Sequence, residues 1–286
     1  MLEPPSDNEL RGLALLLASH VDDLQMLAAS LARRMHDVYS GDSRELRGIL
    51  TDMYLSLSDD ERPNSYAYVS AINRMKDAIK EYRKPRYERM MAILEDELEE
   101  LERNEEQFTI AWIAAVHEAF GLDAPKTSGL SKRTADEIRK YGVYNGETVK
   151  TIFSKVMAAD IDRLSSAVAS SAGARDAAGI SSLREEIDRA MLTATKQIAV
   201  NVSMVVNGVS NDTSREVAKK NVKYADKVMW VTELDERVCE ECAGLEGEVF
   251  DADDVPECPA HPNCRCRIIP IMDEMAPYLL DVHEED

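Results

Sequence analysis

The chain has 286 residues and a mass of 32.0 kDa, long enough for two domains and a substantial core. Its 54 acidic and 34 basic residues leave a net charge of −20, which excludes broad affinity for nucleic acid and demands a local basic patch for any such contact. No apolar run approaches the roughly 20 residues that cross a bilayer, and the opening MLEPPSDNEL lacks the basic and apolar parts of a signal peptide, so a reducing cytoplasm and no membrane partner are expected.

Pro4-Pro5 closes a short leader, and Ser6-x-x-Glu9 is a capping box. Leu13, Leu16, Leu17, Val21, Leu24, Leu27, Ala28 and Leu31 then recur at helical spacing. They predict a long amphipathic helix to about residue 39, ending before Gly41-Asp42. A second helix is expected over 43–57, a break over 59–64 at Pro63, and a third helix over 66–82 on Val69, Ile72, Met75 and Ile79. Pro85 precedes a further helical run to about residue 120, in which Leu94, Leu98 and Leu101 share one stripe and acids lie elsewhere. This is the pattern of a helical hairpin or coiled-coil arm with a solvated acidic face, or of a docking surface for a basic partner. Nothing marks two of its carboxylates as buried together for acid/base work. His117-Glu118 lacks the second histidine of a zinc-protease motif. Residues 1–120 read as a helical N-terminal domain.

The segment 121–129, with Pro125, Lys126, Thr127 and Ser128 between two glycines, has the composition of a linker and opens a second helical region over 121–226. Thr134-x-x-Glu137 caps a short helix, 141–146 is a turn, and 147–170 is a helix with Val149, Ile152, Phe153, Val156, Ile161, Leu164 and Val168 inside. Small residues over 172–179 form a connection, and Ser182-x-x-Glu185 caps a helix that Asn207-Gly208 ends. Thr213-x-x-Glu216 caps another, stopping near Ala225. Lys219, Lys220, Lys223 and Lys227 are the best basic cluster, and they read as a solvated helix face instead of a nucleic-acid patch.

Beyond Asp226 the pattern becomes alternating. Val228, Trp230 and Thr232 alternate with Met229 and Val231 as in a strand, and 248–250 and 267–271 can pair with it. A sheet this small is marginal alone. The expected architecture is therefore mostly α, with a small β module over 227–273 and an acidic, frayed tail over 274–286.

All five cysteines lie in that module. Cys239-x-x-Cys242 is followed after 18 residues by His261-x-x-Cys264, with Cys266 two further on. Two close pairs brought together by a folded-back segment make the spacing of a structural zinc site, and four such ligands leave no position for a reacting water. Cys239, Cys242 and His261 are the firm ligands, Cys264 is preferred as the fourth, Cys266 is the alternative and Cys258 the least favoured. Cys264 and Cys266 would point to opposite sides of an extended chain, so they are not expected on the same ion. Arg265 and Arg267 are placed to offset thiolate charge, and Gly244 to allow a tight backbone approach. Zinc would also add its binding free energy to the folding of the sheet. The rival readings are a disulfide or redox pair, disfavoured because the Cys-x-x-Cys opens no helix of a βαβ unit, and plain reduced thiols.

The ordered series Trp230, Asp235-x-Arg237-Val238-Cys239-x-x-Cys242, Leu245-x-Gly247-x-Val249-Phe250 and Pro259-x-His261-Pro262-Asn263-Cys264-Arg265-Cys266 resembles the C-terminal signature of the phage Mu protein F-like (SPP1 gp7-like) head morphogenesis proteins. The resemblance is strong over the last fifth of the chain and weaker back to about Tyr141. It implies a minor capsid protein of a tailed bacteriophage, bound at the portal vertex and carried into the procapsid to assist head assembly, DNA packaging or ejection. The implied partners are the portal protein and the major capsid or scaffolding protein. The implied location is the virion, with the host cytoplasm during assembly. Where such proteins often carry an Arg-Thr/Ser-Glu-like step and an Asn, this chain has Thr195-Lys196-Gln197 and Asn201, and a structural hydrogen bond from Lys196 or Asn201 to the zinc module is expected. With no phosphate loop or nucleophile elbow, and with His20, His36, His117, His261 and His283 scattered, no enzyme is expected. The alternatives are a zinc-dependent hydrolase or nuclease acting on phage DNA, with water in place of one cysteine, and a cellular zinc-ribbon adaptor.

Overall fold

The computed structural model describes residues 4–41, 43–55, 66–141, 146–170, 177–233 and 236–280. The connections expected at 59–64, within 141–146 at 142–145, and within 172–179 at 172–176 lie outside the described residues, as does the acidic end 281–286. Among the described residues the chain is mostly helical with one small antiparallel sheet, the class expected. The helices are α1 (Asp7–Ser40), α2 (Ser43–Leu55), α3 (Tyr66–Ala119), α4 (Lys132–Tyr141), α5 (Val149–Ser170) and α6 (Ala177–Lys220). The C-terminal part adds β1 (Lys227–Val231), α7 (Glu240–Ala243), β2 (Val249–Phe250), β3 (Arg267–Ile271) and α8 (Ala276–Leu280). No described helix is long and apolar enough to cross a membrane.

The N-terminus of α1 forms as expected. The Ser6 N–H donates to Glu9 Oε2 at 2.7 Å while the Glu9 N–H donates to Ser6 Oγ at 3.4 Å, so each side chain serves an amide the helix leaves orphaned. Two predicted helix boundaries do not exist. Pro85 lies inside α3, which runs unbroken for 54 residues. An interior proline costs about 3 kcal/mol, but Tyr82, Tyr87, Met90 and Met91 are buried on both sides of it. Each such apolar side chain returns about 1.5–3 kcal/mol, so packing carries the helix through. Asn207-Gly208 likewise lies inside α6, and Thr213 caps nothing, since its Oγ1 donates to Val209 O at 2.7 Å within the helix. Val205, Val206, Val209 and Val217 are fully buried there, outweighing the 0.5–1 kcal/mol or so that an interior glycine costs. The cap of α4 is also three residues earlier than expected: Ser131 Oγ accepts the Thr134 N–H at 3.2 Å.

Two compact units share the chain. The first draws on Met1–Ser30, Glu95–Val149 and Val202–Asp286, and the second on Leu31–Leu94 and Lys150–Asn201. The linker segment 121–129 lies within the first unit. In the second, Leu46, Leu50, Met75, Ile79, Leu164 and Leu183 anchor a core made by α2, α3, α5 and α6.

In the first unit the sheet, ordered β2-β1-β3, divides the core by its pleat. Met229, Val231, Ile269 and Ile271 face Leu13 and Leu17 of α1 and Trp112 and Val116 of α3. Val228, Trp230 and Ile268 face Ala218 of α6 and the cysteines. Pro270 is tolerated because β3 is an edge strand, and its carbonyl accepts from Trp112 Nε1 at 2.9 Å. The tail expected to fray from 274 is ordered as far as it is described: Met275, Ala276 and Leu279 are buried in this core.

Candidate metal centre

The first ligand pair is set by a single helical turn. Cys239 precedes α7 in extended conformation, and its Sγ accepts the Cys242 N–H at 3.4 Å, so both sulfurs of the Cys-x-x-Cys are drawn to one side. Gly244 closes α7 in ordinary helical conformation, with only ordinary contacts at the site of a Cβ, so the tight approach expected there is absent. The glycine the backbone does require is Gly247, at φ 72°. Its N–H donates to Trp230 O at 2.9 Å and fixes the turn that leads into β2.

The second pair is set by another turn. Asn263 sits at φ 64° and the Cys264 N–H donates to His261 O at 3.0 Å. The expectation that Cys264 and Cys266 diverge does not hold: both sulfurs meet that of Cys242, the three lying within 4.8 Å of one another. His261 Nδ1 donates to Pro262 O at 2.9 Å, which fixes the tautomer and leaves Nε2 as the free lone pair. That Nε2 is 3.1 Å from both Cys239 Sγ and Cys242 Sγ.

These groups could hold a metal ion. With bonds of about 2.3 Å to sulfur and 2.0 Å to nitrogen, a tetrahedral site has S···S edges of about 3.8 Å and N···S edges of about 3.5 Å. Cys242 Sγ and Cys264 Sγ are 3.8 Å apart, and the His261 edges are shorter by only a few tenths of an ångström. The cleft lined by Cys239, Cys242, His261 and Cys264 has a volume of about 20 Å³, room for one water-sized occupant.

Protonation is unevenly shared. Hydrogen bonds from the Cys258 and Cys266 thiols draw Cys264 down to about 2. The same contact with Cys264, then burial, pushes Cys266 well up, and burial raises Cys258. Burial holds Cys242 up at about 12, while the Cys242 N–H lowers Cys239. The hydrogen bond to Pro262, with the nearby thiolates, raises His261 against its burial. Cys264 and Cys239 are thus the thiols drawn down, and Cys242, Cys258 and Cys266 those pushed up.

The side chains that hold the cluster differ from those expected. Arg265 pairs with Glu233 at 2.9 Å and Arg267 with Glu105 at 2.8 Å, so both meet carboxylates. Asn201 donates to Gln197 O within its own helix. The helix-to-module bonds come instead from Asn207 and Asn211 of α6, both buried. Asn207 Nδ2 donates to Cys264 O at 2.8 Å. Asn211 Nδ2 donates to Cys266 O at 3.1 Å and Cys258 Sγ at 3.2 Å, while its Oδ1 accepts the Ile268 N–H at 2.9 Å. Their i,i+4 spacing on a buried stripe was the available signal.

Glu105 was also missed. It is fully buried and joins α3 to α6, β3 and α1 by accepting from Arg267, Ser210, Ser214 and His20. Two of the four clustered lysines are met by acids, Lys219 lying 2.9 Å from Glu216 and from Asp253 and Lys227 2.8 Å from Asp251, while Lys220 donates to Gly129 O and Lys223 lies over the Tyr224 ring. His117 is a packed histidine at Tyr224 O, 2.8 Å away.

Residues 136–269 match the family model described as phage Mu protein F like protein. The match covers just under half of the chain, from within α4 to within β3, and includes every candidate ligand. No curated protein and no solved structure matches the chain.

Proposed function

Since residues 136–269 form a phage Mu protein F-like region, we propose that this chain is a head morphogenesis protein, a minor capsid component that works by assembly and not by turnover. In this reading it binds the portal vertex, with the major capsid or scaffolding protein as further partners, and enters the virion after assembly in the host cytoplasm. The observation that carries it is the coincidence of the matched region with a Cys/His cluster whose buried cysteines pack into the core against a three-stranded sheet.

We assign the cluster to structural Zn²⁺ held by Cys239, Cys242, His261 and Cys264, with Cys266 as the alternative fourth ligand. Bound there, zinc supplies positive charge and tetrahedral constraint, and its binding free energy adds to the folding of the sheet. Asn207 and Asn211 hold the ligand-bearing backbone against α6. The carboxylate a hydrolytic site would need beside the cleft is Glu233, and it is engaged by Arg265 and Gln25.

Co-expression with the portal and capsid proteins, purification of procapsids and mass spectrometry of their contents test the assembly role. The chain is expected in the particles at a fixed ratio to portal, and Cys239→Ser should reduce its incorporation. Its absence from particles would refute that role. A chain free of zinc, whose melting ignores chelator, would refute the metal assignment.

A further inference from the structure

The sheet has one closed edge and one open one. At β3 the outward groups are taken: Asn211 Oδ1 accepts the Ile268 N–H, and the Pro270 carbonyl accepts from Trp112. At β2 the order β2-β1-β3 places no described strand beyond it. Its pairing with β1 starts from a bulge, in which the Trp230 N–H donates to Glu248 O at 3.0 Å while the Trp230 carbonyl accepts from Gly247 at 2.9 Å. Val228 then stands opposite Phe250, and Met229 opposite Val249. With Glu248 and Phe250 bonded inward, the alternation of an antiparallel ladder turns the N–H and C=O of Val249 away from β1, toward the open side. The strand is firmly seated, since Val249 packs on the core around Met229 and Phe250 on the core around Trp230.

Charge says what fits there. Between Glu240 and Ala260 the chain carries eight acidic residues and no basic one. Asp251 is met by Lys227 at 2.8 Å and Asp253 by Lys219 at 2.9 Å, and Glu246 accepts the Thr232 N–H. Glu248 and Asp254, on either side of β2 in the chain, are exposed and have no ion-pair partner among the described residues. A second copy of this chain would bring the same acids against them, and a phosphate backbone would be repelled. We propose that β2 is a docking edge that takes a basic, extended segment of a protein partner as an added strand.

Strand addition uses the groups that Val249 presents. Its N–H donates to a carbonyl of the incoming segment and its carbonyl accepts an N–H, which fixes the segment's direction and register. The strand is only two residues long, so these bonds are few. Lys or Arg side chains on the segment supply the remaining attraction by meeting Glu248 and Asp254, and an acidic segment is turned away. A helical partner is refused as well, because its backbone groups are already spent on its own ladder. This chemistry follows from the edge alone, so it stands whether or not the chain enters a phage particle.

Fluorescence anisotropy of a labelled peptide of alternating lysine and valine, titrated with the full-length chain, tests this. Binding is expected at low salt and should weaken steeply as salt rises. The same peptide N-methylated at every residue keeps its charge but cannot donate to the edge, and should bind about tenfold more weakly. Val249→Pro should weaken binding of the unmodified peptide by a similar factor, because it removes the outward N–H and leaves the bonds to β1 in place. Glu248→Gln combined with Asp254→Asn should weaken binding and flatten its salt dependence. No binding would overturn the proposal, and so would equal binding of the methylated peptide, which would mean adhesion by charge without pairing. A dimer of the free chain in gel filtration that Val249→Pro dissolves would give the edge to a second copy and overturn it too. Should Val249→Pro fail to fold, the two peptides compared on the wild-type chain decide.

Discussion

Glu105 in the first compact unit and Asp160 in the second are both buried carboxylates facing a buried arginine, yet their acidities move in opposite directions. Burial raises each. At Glu105 the Arg267 charge and the hydrogen bonds from His20 and Ser210 outweigh it and bring the group down to about 2. At Asp160 burial prevails over Arg83 and Tyr39, and the group is raised. The difference lies in how the oxygens are served. Glu105 Oε1 accepts from Arg267 at 2.8 Å and Ser214 at 3.0 Å, and Oε2 from His20 at 2.9 Å and from Ser210. Asp160 Oδ2 accepts from Arg83 at 2.9 Å and Tyr39 at 3.0 Å, while Oδ1 has no hydrogen-bond partner among the described residues. A buried carboxylate stays a favourable anion only when both oxygens are satisfied. In this chain that condition is met where the helices grip the sheet beside the Cys/His cluster.

The largest effect should come from Arg267→Met, which strands the Glu105 charge in the core at a cost of about 3–5 kcal/mol. Guanidinium unfolding of the metal-loaded protein would show it, and Glu105→Leu in the same chain should restore most of the loss. A single-variant loss under about 1 kcal/mol would mean that the serines and His20 suffice. Glu105→Gln addresses the pH dependence. The folded value lies below the unfolded 4.5, so Glu105 contributes stability that is complete above about 4.5 and lost as pH falls toward 2. The wild-type advantage over Glu105→Gln should therefore shrink across that window, by about 3 kcal/mol in all. A difference that stays flat with pH would break the comparison. Ser214→Ala removes one donor to a charged acceptor, worth about 1–2 kcal/mol, and should move the acid limb to higher pH.

What could be read from the sequence was what short spacing controls. The Ser6/Glu9 box, the alternation of β1 and the pairing of Cys239 with Cys242 depend on residues within a turn or a strand of one another, and His261 is reached through the two-pair spacing of a zinc site. Pro85 and Asn207-Gly208 misled because their local penalties, about 3 and 1 kcal/mol, are overridden by burial that arises only on folding. Asn207 reads as a helix end by composition, but its partner is a carbonyl 57 residues away. Glu105 and Arg267 are 162 residues apart, and no local rule pairs them. A trace did exist, since Glu105 continues the buried stripe of Leu94, Leu98 and Leu101, where an acid has no business unless it is met. Cys264 meets Cys242 across 22 residues of sequence, a contact that the local alternation of Cys264 and Cys266 does not reveal.

Asp160→Asn should have the smallest effect and the opposite sign with pH. Because the folded carboxyl is raised above its unfolded 3.8, the native state binds the proton more tightly than the unfolded chain does. The wild-type protein therefore gains stability from this group as pH falls through the folded value toward 3.8, and carries a penalty above it. Asparagine mimics the neutral form. It can still accept from Arg83 and Tyr39, and Arg83 keeps its bond to the Tyr39 carbonyl at 2.7 Å. The variant should lose no more than about 1 kcal/mol at neutral pH, well below the 3–5 kcal/mol of a broken buried pair. Relative to wild type it should fare worse, not better, as the solution is acidified. Unfolding curves at several pH values decide it: a neutral-pH loss as large as that of Glu105→Gln, with the same pH trend, would show that Asp160 Oδ1 is satisfied in solution and that the two carboxylates are equivalent after all.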